Sequence, residues 1–187
     1  IYLITKGNLT ERNFQKESEK TLHIVESAAN SNISLIQIRE KQLPAKLICE
    51  LASKALEITK NSNTKILINE RIDIALSANA DGVHLTSNSI PTKIVREIVP
   101  ENFLVGVSTH SLERALLAKE SGADFVTFSP IFPTDSKANY GVAKGLDQLK
   151  IVCDKVESFP VIALGGINEA NHESILESGA SGFAAIS

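Results

Sequence analysis

The sequence predicts an α/β protein, a compact (β/α)8 barrel with a parallel sheet, and three observations carry that prediction. Short β-rich runs alternate with longer amphipathic stretches along all 187 residues, which is the pattern of repeated βα units. A short motif recurs between a helical stretch and the next strand, as Asn79-Ala80-Asp81-Gly82, Ser121-Gly122-Ala123-Asp124 and Ser178-Gly179-Ala180-Ser181, marking equivalent loops at one end of the sheet. No Gly-x-Gly-x-x-Gly follows the first strand-like run, and the regular repeat favours closure over an open doubly wound sheet.

Eight runs read as strands: Ile1–Thr5, Leu35–Arg39, Lys65–Asn69, Gly82–Leu85, Leu104–Ser108, Phe125–Ser129, Pro160–Gly165 and Gly182–Ser187. Most are apolar on consecutive residues, as strands covered on both faces should be. Seven helical segments lie between them, the clearest being Pro44–Asn61, Ser111–Ser121 and Asn168–Ser178. The last two open on the capping residues Ser111 and Asn168 and end near Gly122 and Gly179. The length suits one domain, residues 1–187, with a sizeable core, and is short for two. A complete barrel of this kind runs to about 250 residues, so the last helix is expected to be missing. The start at Ile1 and the stop at Ser187, directly after a strand-like run, lead to the expectation of further sequence at both ends.

Composition narrows the function classes. The formal net charge is −3, with Lys and Arg scattered among Asp and Glu, so no polyanion-binding face is indicated and nucleic acid is not an expected partner. Cys49 and Cys153 form no Cys-x-x-Cys pair and read as small buried hydrophobes. No apolar run approaches the roughly 20 residues of a membrane span, and the expected location is the cytoplasm.

In such barrels the chemistry sits on loops after the C-terminal ends of the strands. The second strand-like run continues as Gln37-Ile38-Arg39-Glu40-Lys41, and alternation places Gln37, Arg39 and Lys41 on one face if the strand extends that far. Two cations side by side suit an anion, while an ion network with Glu40 or Glu70 is the plainer reading of the same residues. Asn69-Glu70-Arg71 ends the third run, His84 lies in the fourth, and Ser108-Thr109-His110 ends the fifth. After the sixth run, Ser129 to Lys137 supplies the hydroxyls of Thr134 and Ser136 and the ammonium of Lys137 beyond a proline-stiffened turn. Gly165-Gly166 after the seventh run, with Ile186-Ser187 ending the eighth, falls where these barrels build a phosphate cup.

Taken in order, these residues resemble the thiamine-phosphate synthases and their relatives, the TenI-type thiazole tautomerases. The resemblance rests on Gln37-Ile38-Arg39-Glu40-Lys41, Leu67-Ile68-Asn69, Asp73-Ile74-Ala75-Leu76, Ala80-Asp81-Gly82-Val83-His84-Leu85, Gly106-Val107-Ser108-Thr109-His110, Pro130-Ile131-Phe132-Pro133-Thr134 and Ala163-Leu164-Gly165-Gly166-Ile167. It implies a transferase of thiamine biosynthesis that joins hydroxymethylpyrimidine diphosphate to a thiazole phosphate and releases diphosphate. Under that resemblance Gln37, Arg39, Lys41 and Asn69 hold the pyrimidine diphosphate, with Ser108 and Lys137 on its phosphates. Thr134 and Ser136 meet the thiazole substrate, and Gly166, Ile186 and Ser187 cup its phosphate through backbone amides and a hydroxyl.

The resemblance also implies Mg2+, which synthases hold with one aspartate after the third strand and another after the fourth. Here those positions read Glu70 and Ser89, leaving Glu70 as the candidate metal ligand beside a neutral hydroxyl. Tautomerases carry a general-base histidine where this chain has Pro130, with His84 and His110 as nearby candidates. A thiazole phosphate tautomerase and a non-catalytic barrel binding a thiamine-pathway metabolite are the alternatives to the synthase. The partners implied are phosphorylated pyrimidine and thiazole small molecules, and oligomeric relatives allow a homo-oligomer by analogy.

Overall fold

The computed structural model describes residues 1–133 and 142–187. Eight strands alternate with seven helices among these residues: β1 (Tyr2–Ile4), α1 (Phe14–Asn30), β2 (Leu35–Ile38), α2 (Ala45–Thr59), β3 (Lys65–Asn69), α3 (Ile72–Ser77), β4 (Gly82–Leu85), α4 (Thr92–Ile98), β5 (Leu104–Thr109), α5 (Leu112–Glu120), β6 (Phe125–Phe128), α6 (Gly145–Val156), β7 (Val161–Leu164), α7 (His172–Glu177) and β8 (Gly182–Ile186). The strands follow chain order in a closed barrel, the (β/α)8 architecture that the repeated βα pattern predicts. No helix among the described residues is long and apolar enough to cross a membrane.

The chain divides into two compact units. The first comprises Ile1–His84, Asn102–Leu104 and Ile186–Ser187. In it β1, β2 and β3 pair in parallel, with Ile4 opposite Gln37 and Gln37 opposite Leu67, and Asn69 of β3 stands opposite His84 of β4. Helix α2 buries Ile48, Leu51, Ala52, Ala55 and Thr59, a stripe at helical spacing, and lies against β3 and α1. The alanines let the helix approach closely, and truncating the fully buried Leu51 to alanine would cost about 2–5 kcal/mol.

The second unit comprises Leu85–Glu101 and Val105–Ala185. Here β5, β6, β7 and β8 pair in parallel, with Gly106 opposite Phe125, Val126 opposite Val161 and Ile162 opposite Gly182. Ala115 and Ala118 of α5, Leu149 and Val152 of α6 and Ile175 of α7 are buried in one cluster with Val126 and Val161. Cys153 belongs to the same cluster, as a small buried hydrophobe.

The repeated loops share a physical device. Asp81 donates its backbone N–H to the Ile66 carbonyl at 3.0 Å, and its carboxylate accepts the Ile66 N–H at 2.8 Å. Asp124 does the same with Val105, at 2.9 and 2.7 Å. Each aspartate closes a ring onto the start of the preceding strand. Ser181 keeps the backbone arm, to Val161 at 2.9 Å. The helices entering these loops end on Asn79, Gly122 and Gly179 in the left-handed region, at φ +56, +88 and +88, where a carbonyl-satisfying cap needs a residue that tolerates positive φ.

Two local expectations are corrected. Strand β2 stops at Ile38, so Arg39 and Lys41 do not extend a strand face begun by Gln37. The Arg39 N–H is taken by the Thr5 hydroxyl at 2.9 Å, and the buried Glu40 carboxylate accepts the N–H groups of Gly7 and Leu9, which draws the chain out of the sheet. Helix α7 begins at His172, not at Asn168. The Asn168 side chain accepts the Ala170 N–H at 2.9 Å and Asn171 accepts the Asn168 N–H at 2.8 Å, so the asparagines close turns before the helix starts. The other expected cap is observed, Ser111 accepting the Arg114 N–H at 3.3 Å.

Candidate active site

In the first unit, four side chains from the ends of β2 and β3 form one chain of polar contacts. Gln37, buried in β2, donates from Nε2 to Asn69 Oδ1 at 3.0 Å. Asn69 then donates from Nδ2 to Glu70 Oε2 at 3.0 Å, and the Lys41 ammonium stands 3.4 Å from the same oxygen. Successive strand residues point to opposite faces, so Asn69 and Glu70 should diverge. They meet because Glu70 sits at φ +59, a left-handed turn directly after β3. Of the ion network legible in the sequence, the Lys41–Glu70 pair is formed, while Glu40 serves backbone amides.

Arg39, directly after β2, is half-buried. Its backbone is fixed from two sides, by the hydrogen bond to Thr5 and by the close passage of Gly7. Gly7 has φ +77, and a Cβ there would stand 2.9 Å from the Arg39 carbonyl oxygen and 3.3 Å from its Nη1. The roles of Thr5, Gly7 and Glu40 escape sequence reasoning, although a glycine two residues after the first strand-like run is a usable signal.

His84 is buried, with Nδ1 3.1 Å from the Tyr2 hydroxyl and the two rings tilted at 5.6 Å between centroids. Burial pushes the Tyr2 hydroxyl pKa well above its usual value, so the phenol keeps its proton. His84 is thus a hydrogen-bonded structural group. At the end of β8, Ile186 is exposed, and the Ser187 N–H donates to the Ile4 carbonyl at 3.0 Å. The Ser187 amide is thus committed to the backbone, and not to a phosphate.

In the second unit, Ser108 lies 3.5 Å from the Thr127 hydroxyl. Just after β5, His110 Nδ1 is 2.8 Å from the Ser129 carbonyl. A carbonyl only accepts, so Nδ1 carries the proton, and in the neutral ring Nε2 holds the basic lone pair. Ser108, His110, Ser111 and Arg114 line an open cleft of about 580 Å³ together with Thr86 and Ser89. The Ser89 hydroxyl accepts the Thr86 N–H at 2.8 Å, closing the turn after β4.

The glycine pair after β7 answers a steric demand. Gly165 has φ +106 and a Cβ there would meet Pro130 at 2.9 Å; Gly166 has φ +66 and a Cβ would meet Phe132 Cβ and the Pro133 carbonyl oxygen at 2.7 Å. The Phe132 N–H donates to the Gly165 carbonyl at 3.0 Å, and Asn171 Nδ2 donates to the Gly166 carbonyl at 3.0 Å. The loop is therefore held by its carbonyls. Pro130 follows a cis peptide bond. Thr134, Ser136 and Lys137 lie outside the described residues.

Among the described residues, no three His, Cys, Asp or Glu side chains gather as a metal cluster. The position that the resemblance gives to a second metal ligand, Ser89, already accepts a backbone N–H.

Residues 1–187 match the family model described as thiamine monophosphate synthase. A thiamine-phosphate synthase of Methanocella arvoryzae is 39% identical over 187 residues, covering 100% of this chain and 85% of that protein. A thiamine-phosphate synthase of Clostridium tetani is 35% identical over 187 residues, covering 100% of this chain and 86% of that protein. Among solved structures, the thiamine phosphate pyrophosphorylase of Pyrococcus furiosus superposes with a TM-score of 0.82 at 33% identity, covering 99% of this chain and 84% of that one.

Proposed function

Because the chain belongs to the thiamine monophosphate synthase family over its whole length, we propose that it joins hydroxymethylpyrimidine diphosphate to a thiazole phosphate and releases diphosphate. It is a transferase of thiamine biosynthesis. The observation that carries this reading is the run Gln37–Asn69–Glu70–Lys41 at the C-terminal ends of β2 and β3, where barrel chemistry belongs, with Arg39 directly following β2 in the chain. Negative charge grows on the leaving diphosphate as the carbon–oxygen bond breaks, and cations already in place lower the barrier to its departure. Arg39 and Lys41 supply that charge, and the Asn69 amide, held at both ends, supplies a fixed donor. The thiazole nitrogen then captures the pyrimidine methylene.

Ser108, Thr134, Ser136 and Lys137 keep the substrate roles that the family resemblance implies for them. By the same resemblance, Gly166 meets the thiazole phosphate. The positive φ and crowding at Gly165 and Gly166 fix the course of that loop against Pro130, Phe132 and Pro133.

The magnesium that the resemblance implies is poorly matched by the donor set. A hard dication takes several oxygen ligands, whereas Glu70 offers one carboxylate with Oε2 already engaged, and Ser89 is neutral and engaged. The set accommodates magnesium as a companion of the incoming diphosphate and not as a resident ion.

One observation favours a second reading, isomerisation of the thiazole phosphate. His110, with its Nδ1 fixed on the Ser129 carbonyl, brings a basic nitrogen to the loop after β5 although the tautomerase histidine position is Pro130. Diphosphate release separates the readings. Release that requires both substrates supports the transferase; turnover of the thiazole phosphate alone, with no diphosphate released in the presence of both, overturns it.

A further inference from the structure

We infer that Glu70 is a positioning residue, one that holds the Asn69 amide and the Lys41 ammonium for the diphosphate, and that it is not a resident magnesium ligand; the inference rests on the transferase reading above. A single oxygen, Oε2, receives Asn69 Nδ2 at 3.0 Å and faces Lys41 Nζ at 3.4 Å. Since Asn69 Oδ1 is already taken by Gln37, the carboxylate fixes which way the amide points. The backbone supports the same assignment. Glu70 occupies φ +59, a conformation that an L-residue rarely adopts, and it is held there by its N–H on the His84 carbonyl at 2.9 Å and by the Arg71 N–H on the Asn69 carbonyl at 2.7 Å.

That conformation is what cancels the strand alternation and turns the carboxylate back beside Asn69. As a stabilising device the pair is weak, because the Lys41 side chain is 48% exposed and surface pairs of this kind contribute little. Strain kept at a site without a matching gain in stability points to a positional task. Glutamate rather than aspartate suits that task, since the extra methylene lets one oxygen reach two donors from a turn. A resident Mg2+ would instead ask for several oxygen ligands in near-octahedral order, and here Oε2 already receives Asn69 and faces Lys41.

The test uses the whole chain with Glu70→Gln, Glu70→Asp and Glu70→Ala. Three quantities are measured: binding of inorganic diphosphate by calorimetry without divalent ion, binding of Mn2+ by electron paramagnetic resonance with and without diphosphate, and the steady-state dependence on pyrimidine diphosphate and on Mg2+. Circular dichroism confirms folding in each variant. Loss of the hydrogen bonds made through Oε2 should raise KM for the pyrimidine diphosphate about three- to tenfold in Glu70→Ala and Glu70→Asp, and less in Glu70→Gln, which keeps an acceptor for Asn69. The Mg2+ concentration giving half the maximal rate should stay within about twofold in all three variants, and Mn2+ should bind only when diphosphate is present.

Mn2+ binding to the free protein that disappears in Glu70→Gln would overturn the inference. So would an aspartate variant that matches or exceeds the parent while the glutamine variant needs about tenfold more Mg2+. If the unaltered chain makes no product, the transferase reading falls, whereas the diphosphate and Mn2+ measurements still decide the role of Glu70.

Discussion

Replacing Gly7 with alanine should lower turnover by displacing Arg39, although residue 7 itself need not touch substrate. The position has φ +77, so a Cβ costs about 1–2 kcal/mol in backbone conformation alone. The new methyl would lie 2.9 Å from the Arg39 carbonyl oxygen and 3.3 Å from Nη1. The guanidinium end can swing aside. The carbonyl cannot move without disturbing the 2.9 Å hydrogen bond from the Arg39 N–H to Thr5, so the strain passes into the residue that carries the cation.

A misplacement of about 1 Å can cost a hundredfold in rate, so a shift of a few tenths of an ångström should lower kcat/KM for the pyrimidine diphosphate about three- to tenfold. Removing the cation with Arg39→Ala loses a charge-assisted contact of about 1.5–3 kcal/mol, or roughly 10- to 150-fold. The assay is a double-mutant cycle on kcat/KM, with urea unfolding of each variant confirming that it is folded. If Gly7 acts through Arg39, adding Gly7→Ala to Arg39→Ala should change kcat/KM by less than about twofold. Multiplicative losses would refute the reasoning and make Gly7 a matter of general stability.

Three further outcomes follow from the same geometry. Asp124→Ala leaves the N–H of the buried Val105 without its acceptor and removes the partner of Arg96, so urea unfolding should show a loss of about 2–4 kcal/mol, against about 1 for Ser111→Ala at the start of α5. Gly166→Ala should weaken binding of the thiazole phosphate more than that of the pyrimidine diphosphate in calorimetric titrations, because its methyl collides with Phe132 and Pro133. Burial, followed by the charge of Asp154, pushes the Cys153 thiol up to about 11. That pKa is raised on folding, so the stability tied to the protonated thiol is complete below the ordinary thiol value of 9.0 and is lost as pH rises toward about 11. Alkylation monitored by mass spectrometry at pH 8 should therefore spare Cys153 until the protein is unfolded.

The barrel was legible because its signals are local. Short β-rich runs, most of them apolar on consecutive residues, marked the strands with ends correct to within one residue, and the Gly-Ala-Asp loops marked the turns between helix and strand. The doubled hydrogen bonding of Asp81 and Asp124 explains why that motif recurs at all. Legibility failed where side chains compete with backbone structure. Asn168 has the right identity for a helix cap, yet a second asparagine three residues on closes a turn with it and delays the helix.

Alternation along β2 was projected past Ile38, but Arg39 is held by the Thr5 hydroxyl and Glu40 by the N–H groups of Gly7 and Leu9, partners that are all distant in sequence. In the site, residue types were readable and pairings were not. The anion-binding character of Arg39 and Lys41 follows from charge and position. That Glu70 turns back onto Asn69 depends on one positive φ, which glutamate gives no reason to expect.

The central claim is transferase activity, and the most direct measurement is thiamine phosphate formed by the purified chain from both substrates, with magnesium and then with EDTA, read by fluorescence after oxidation to thiochrome. The account predicts product that requires both substrates and falls when EDTA removes the ion accompanying the diphosphate. No product, with an active synthase run alongside as a control, would contradict it.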